Sequence, residues 1–167
     1  MKYRIVKTSW GWCGLAGEAG KVHVLVLPMP SRAQTEAAIR SGAGRAEEDP
    51  TAFTEVVSGM EEYFAGGRPH WGPDVAAPAG TEFQKKVWRA AMRIPYGQTR
   101  TYAWLAARIG SPRATRAVGG ALGRNPIPLI VPCHRIIRND GSLGGFSAEE
   151  GVALKRRLLQ LEGTIPS

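Results

Sequence analysis

The chain reads as an α/β protein in two parts. A small N-terminal α/β domain with a short β-sheet is expected at 1–75, and a mostly helical C-terminal domain containing a helix-turn-helix at 76–167. Three observations predict this. Alternating polar and apolar runs lie near the N-terminus. A stretch rich in Gly, Pro and Ala, "AGGRPHWGPDVAAPAG" (65–80), then reads as a linker and coincides with a change in charge. Beyond it, helix-length segments with cap signals follow one another.

Taken in order, "YRIVKTS" (3–9) and "KVHVLVLP" (21–28) read as two strands joined by a glycine-rich turn region, "GWCGLAGEAG". A helix is expected from Ser31, then a loop, "SGAGRAEEDP". A second helix starts near Thr51, where Phe53, Val56, Val57, Met60 and Phe64 recur at helical spacing. After the linker, Thr81 and Gln84 open "TEFQKKVW" at capping-box spacing, and "IPYGQT" (94–99) ends that helix in a turn. Thr101 caps a short helix, "YAWLAARI", that stops at Gly110. Ser111 and Pro112 give an N-cap and a first-turn proline for the next helix, "PRATRAVGGAL". These two helices around a Gly-containing turn form the helix-turn-helix. The prolines of "NPIPLIVPCHRII" keep that segment extended or irregular. "RNDGS" is a turn. The last helix begins near Ala148, with Ser147 and Glu150 at capping-box spacing, and ends near Gly163.

At 167 residues, 43% hydrophobic and 22% charged, the composition is that of a soluble globular protein. No apolar run is long enough to span a bilayer, and the N-terminus lacks the apolar core of a signal peptide. A cytoplasmic, reducing location is expected, which disfavours a Cys13–Cys133 disulfide. The formal charge of +8 is unevenly spread: residues 1–80 hold eight Lys+Arg against nine Asp+Glu, and residues 81–167 hold fourteen against five. A basic half beside a balanced one suggests a polyanion, nucleic acid first, although a high pI is also compatible with an unpartnered domain.

"SPRATRAVGGALGR" places Gly119 and Gly120 inside a helix, each costing about 1 kcal/mol relative to alanine. Small residues allow close approach, and Arg113, Arg116 and Arg124 flank them. Arginines around a nearly bare helix suit DNA, with Ala117, Gly120 and Ala121 toward the groove; close helix–helix packing is the alternative. The scarcity of long polar side chains argues against sequence-specific readout.

"PCHRII" (132–137) holds one of two cysteines. Such a cysteine is either a buried hydrophobe or, with a base or positive charge nearby, a nucleophile. Two cysteines 120 positions apart and three histidines are too few for a zinc site. Adjacent side chains on an extended segment face opposite ways, so His134 would reach Cys133 through a turn or a bridging water. A histidine base needs an acceptor on its other nitrogen, and Glu162, at the end of an apolar helix, is the acid placed to be buried.

"VPCHRII", with "RAVGGALGRNPIP" before it and "GGFS…LKRRLLQLEG" after it, strongly resembles the O6-alkylguanine-DNA alkyltransferases. The resemblance spans about residues 81–163, while residues 1–75 match only loosely. It implies that Cys133 is the active-site cysteine and accepts the alkyl group of O6-alkylguanine, with O4-alkylthymine as a further candidate substrate. His134 would deprotonate it through a water and Glu162 would orient His134. Asn125 would hold the active-site turn, and Tyr102 would donate a proton toward N3 of the departing guanine. Arg116 would be the arginine finger in the stack, with Arg113, Arg124 and Arg135 also at the DNA. Tyr102, Val131, Phe146 and Ser147 would line the base pocket. The implied partner is double-stranded DNA carrying the lesion, bound in the minor groove by a monomer that flips the damaged base out of the stack. No cofactor, no metal and no obligate protein partner are expected, and the thioether product limits each molecule to one repair.

The chain departs from that pattern at "FSAEEGVALK", where Glu149 and Glu150 follow the pocket serine. They are either favourable acids at a helix start or a negative rim that alters access to the pocket. Two rival readings are a lesion sensor of the alkyltransferase-like type, which would lack the thiol, and a helix-turn-helix regulator, which the Gly/Ala-rich helix argues against.

Overall fold

The computed structural model describes residues 1–72, 75–144 and 151–167. The chain divides into two compact units, Met1–Pro78 and Ala79–Ser167.

In the first unit a four-stranded sheet has the order β3-β2-β1-β4. Its strands are β1 (Lys2–Thr8), β2 (Gly11–Glu18), β3 (Lys21–Met29) and β4 (Glu47–Glu48). The first three pair antiparallel and β4 joins β1 in parallel. The glycine-rich segment expected as a turn is β2 itself, and Cys13 lies within it, fully buried. Its glycines answer to close approach. A Cβ at Gly14 would stand 2.4 Å from Ile39, and one at Gly17 would stand 1.9 Å from the Lys21 carbonyl oxygen beside a register shift between β2 and β3. Helix α1 (Arg32–Ala43), capped by Ser31, packs on the sheet through Thr35 and Ile39. Helix α2 (Thr54–Phe64) buries Val56, Val57, Met60 and Phe64 of the expected stripe together with Tyr63, while Phe53, expected within the helix, precedes it as the N-cap at φ +58.

The second unit holds α3 (Glu82–Ala91), α4 (Tyr102–Arg108), α5 (Thr115–Gly123) and α6 (Gly151–Leu161). Thr81 and Gln84 form the full capping box of α3, and the Thr101 hydroxyl accepts from the Trp104 N–H to cap α4. Ser111 and Pro112 do not begin α5. They form a preceding turn in which the Ala114 N–H donates to the Ser111 carbonyl at 2.9 Å, and the helix starts at Thr115. The Trp88 indole N–H donates to the Ala121 carbonyl at 2.9 Å, tying α3 to α5. A two-residue strand, β5 (Arg100–Thr101), pairs in parallel with β6 (Ile136–Ile137) and so sets the start of α4 beside the segment carrying Cys133. Val87, Leu105, Val118, Ile127, Ile136, Leu154 and Leu158 form the buried core of this unit. No helix among the described residues is long and apolar enough to cross a membrane.

Candidate active site

Cys133 opens a 3-10 turn, Cys133–Arg135, that follows Pro132. The segment, expected to be extended or irregular, takes a single turn here: the Pro132 carbonyl accepts from the Arg135 N–H at 3.0 Å, and no proline nitrogen is required to donate. The residues before it make a second tight loop. The Asn125 amide donates to the Val131 carbonyl at 2.8 Å, and its carbonyl oxygen accepts from the Ile127 N–H at 3.0 Å. The Val131 carbonyl also accepts from the Cys133 N–H at 2.8 Å. Leu129 sits in the left-handed region at φ +72, a strained backbone that these bonds hold in place. Val131 is wholly buried beneath the loop.

Cys133 is 6% exposed. Burial pushes its thiol up, while the hydrogen bond with Asn125, the positive charge of Lys155 and the nearby backbone N–H groups pull it down. His134 is fully buried, and its Nε2 lies 2.7 Å from Glu162 Oε1. Burial lowers the His134 pKa more than the Glu162 contact raises it, so the imidazole is neutral near pH 7. A carboxylate only accepts, so this neutral ring carries its proton on Nε2 and keeps its lone pair on Nδ1, as a base requires. Burial would push the Glu162 carboxyl up, but the bonds from His134 and Arg135 outweigh it and hold the group at about 2.

Arg135, expected at the DNA, turns inward instead. Its Nε donates to Glu162 Oε2 at 2.9 Å, its Nη2 to Oε1 at 2.9 Å and its Nη1 to the Ile94 carbonyl at 2.8 Å, with the side chain 11% exposed. A guanidinium spent on a buried carboxylate is not available to phosphates. It keeps Glu162 ionised without requiring a charge on His134.

Tyr102, at the start of α4, stands between α5 and the turn after β6. A Cβ built on Gly119 would be 3.8 Å from its ring, and one on Gly144 would be 3.0 Å from its hydroxyl. Gly144 also has φ +74, so both backbone and space require glycine there. Burial and then the charge of Cys133 raise the Tyr102 pKa, and Arg138 opposes them. Its hydroxyl stays protonated and can donate.

On α5, Arg113 before the helix and Arg116, Ala117 and Arg124 are exposed, and Gly120 is half-buried with only Arg124 near its added Cβ, at 3.5 Å. Ala121 is 3% exposed and packs inward with Val118 and Leu122. The expected small-residue face therefore consists of Ala117 and Gly120 without Ala121. Phe146, Ser147, Glu149 and Glu150 lie outside the described residues.

Lys155 was missed. It is fully buried on α6, donates to the Ile136 carbonyl, and its Nζ stands 5.7 Å from the Tyr102 ring centre. Lys155, Leu158 and Glu162 share helical spacing, so a lysine lies in line with the apolar stripe of the last helix. That was the available signal. Among the described residues no three His, Cys, Asp or Glu side chains come together as a metal site.

Comparison with known proteins gives one picture. The family model described as 6-O-methylguanine DNA methyltransferase, DNA binding domain, matches residues 82–164. A methylated-DNA–protein-cysteine methyltransferase of Methanosarcina barkeri is 42% identical over 163 residues, 97% of each chain. One from Methanosarcina acetivorans is 50% identical over 117 residues, 70% of this chain and 73% of that protein. The crystal structure of Mycobacterium tuberculosis OGT in complex with DNA superposes with a TM-score of 0.83 at 38% identity, covering 100% of this chain and 96% of that one.

Proposed function

The chain belongs to the 6-O-methylguanine DNA methyltransferase family, and we propose that it repairs DNA by transferring the alkyl group of O6-alkylguanine irreversibly to Cys133. The observation that carries this is the buried Cys133 turn backed by the His134–Glu162 contact at 2.7 Å. It joins a nucleophile, a neutral base and an orienting carboxylate within one small unit.

The chemistry follows from the groups present. The Cys133 thiol gives its proton, through a water, to His134, whose Nε2–H is anchored on Glu162. The thiolate sulfur attacks the alkyl carbon, the S–C bond forms and the C–O6 bond breaks. The electron pair leaves with the guanine, and Tyr102 donates a proton toward N3. The product thioether is not a substrate for thiol–disulfide exchange, so the protein acts once. A guanine inside a duplex is out of reach, and extruding it costs a few kcal/mol. Arg116, entering the stack, and phosphate contacts from Arg113 and Arg124 offset that cost. The exposed Ala117–Gly120 face of α5, presented by the helix-turn-helix of α4 and α5, lies against the minor groove. Tyr102 lines the pocket for the extruded base, whereas Val131, expected there, has no exposed surface and supports the loop from within. O4-alkylthymine is a second candidate substrate for that pocket.

The reading is tested by titrating duplex DNA containing O6-methylguanine with wild-type protein and with Cys133→Ala. Wild type is expected to clear one lesion per molecule and stop. Cys133→Ala is expected to bind the DNA and clear none; clearance by that variant would refute the transfer.

A further inference from the structure

The transfer described above makes no use of the buried cation beside it. Lys155 has no exposed surface, and removing an ammonium from water is unfavourable unless its charge is used. Its Nζ donates to the carbonyl of Ile136, the residue that follows the Cys133 turn, and faces the Tyr102 ring at 5.7 Å. One ammonium thus bonds the backbone behind the nucleophile and faces the proton donor.

The charged and titratable groups coupled to it come from each neighbouring element: Cys133 and His134 from the 3-10 turn, Tyr102 from α4, and Arg138 from the residue after β6. Burial pulls Lys155 down to about 8, an ionised Cys133 pulls it back up, and Arg138 adds to the lowering. In return Lys155 lowers the Cys133 thiol against the effect of burial, and it helps keep His134 neutral. Tenfold separates each unit of such a shift in thiolate fraction at fixed pH below the pKa.

We propose that Lys155 is a positioning and charge-setting residue: its buried ammonium holds the Ile136 carbonyl behind the Cys133 turn and is the counter-ion against which the Cys133 thiolate forms. This rests on Cys133 being the nucleophile. Lys155 exchanges no proton in the transfer. The thiol proton goes to His134, and Lys155 contributes its charge and its hydrogen bond.

The test compares Lys155→Met, which keeps length and removes charge, with Lys155→Arg, which keeps charge, each in a Cys13→Ala background. Cys133 ionisation is followed by the pH dependence of its alkylation with iodoacetamide, and transfer by single-turnover reaction with O6-methylguanine DNA. Lys155→Met is expected to raise the Cys133 titration by about one unit, to slow transfer about tenfold near neutral pH, and to recover as pH rises. Lys155→Arg is expected to restore most of the titration shift. An unchanged Cys133 titration in a folded Lys155→Met protein overturns the proposal, whatever happens to the rate. Should that variant not fold, the same coupling is read in Cys13→Ala protein from the Lys155 Cε resonance against pH, before and after Cys133 is S-methylated with methyl iodide. A midpoint that falls on methylation supports the proposal, and an unchanged midpoint overturns it. Coupled titrations in a protein that takes no methyl from DNA would refute the alkyl-transfer reading instead, and with it any use of Lys155 in transfer.

Discussion

Replacing the charge at the centre of the buried network, with Glu162→Gln, is expected to destabilise the C-terminal unit by about 3 kcal/mol near pH 7. Two routes give this magnitude. The Glu162 carboxyl is held at about 2 against an ordinary value of 4.5, and each unit is worth about 1.4 kcal/mol. Independently, removing one partner of a buried ion pair costs about 3–5 kcal/mol because the other charge is stranded; here that charge is Arg135, 11% exposed. The glutamine carbonyl can still accept from His134 Nε2, so the loss falls on the Arg135 side. Because the folded pKa lies below the unfolded one, the stabilisation is complete above about pH 4.5 and disappears as pH falls toward 2. Urea denaturation of both proteins from pH 7 downward measures it. The gap between them is expected to be widest near neutrality and to close with acid, with a neutral-pH Tm decrease of roughly 10–25 °C. Equal stability near pH 7, or a gap that does not narrow in acid, would refute the reasoning.

Asn125→Ala removes both bonds that shape the loop before Cys133 and is expected to cost about 2–4 kcal/mol in stability; thermal unfolding measures this, with slower single-turnover transfer as its companion. Gly144→Val places side-chain atoms against the Tyr102 hydroxyl at a left-handed backbone position. Transfer is expected to fall at least tenfold with DNA affinity little changed, measured by single-turnover kinetics beside fluorescence anisotropy. Arg116→Ala is expected to slow repair in duplex DNA while leaving reaction with free O6-alkylguanine base unchanged, because extrusion is needed only in the duplex. Arg113→Ala and Arg124→Ala are each expected to reduce the salt dependence of DNA binding by about one unit of slope, measured by titration at several salt concentrations.

Cap chemistry made several helices legible in the sequence. Thr81 with Gln84, and Thr101, mark their starts because the stabilising bonds are local in sequence. Val56, Val57, Met60 and Phe64 disclosed α2 because one face is buried and the period shows. The strand β2 was hidden because its glycines answer to Ile39 of α1 and to the Lys21 carbonyl, neighbours that local sequence does not reveal. The β5–β6 pair is two residues long and has no period to read. At the site, the identities of Cys133, His134 and Glu162 could be named, and the structure brings His134 and Glu162 into contact. Which way Arg135 turns was not legible, since an arginine beside a basic face and one neutralising a buried carboxylate look alike in sequence. Lys155 was hidden for the opposite reason: it lies among the charged residues of "LKRRLLQLEG", and only the Leu158–Glu162 alignment marks it as inward.

Mass spectrometry of the peptide containing Cys133, after incubation with duplex DNA carrying O6-methylguanine, tests the central claim most directly. The expected result is one methyl group on the Cys133 sulfur, in molar equality with guanine restored in the DNA. An unmodified Cys133 peptide from protein that remains bound to the lesion would contradict it.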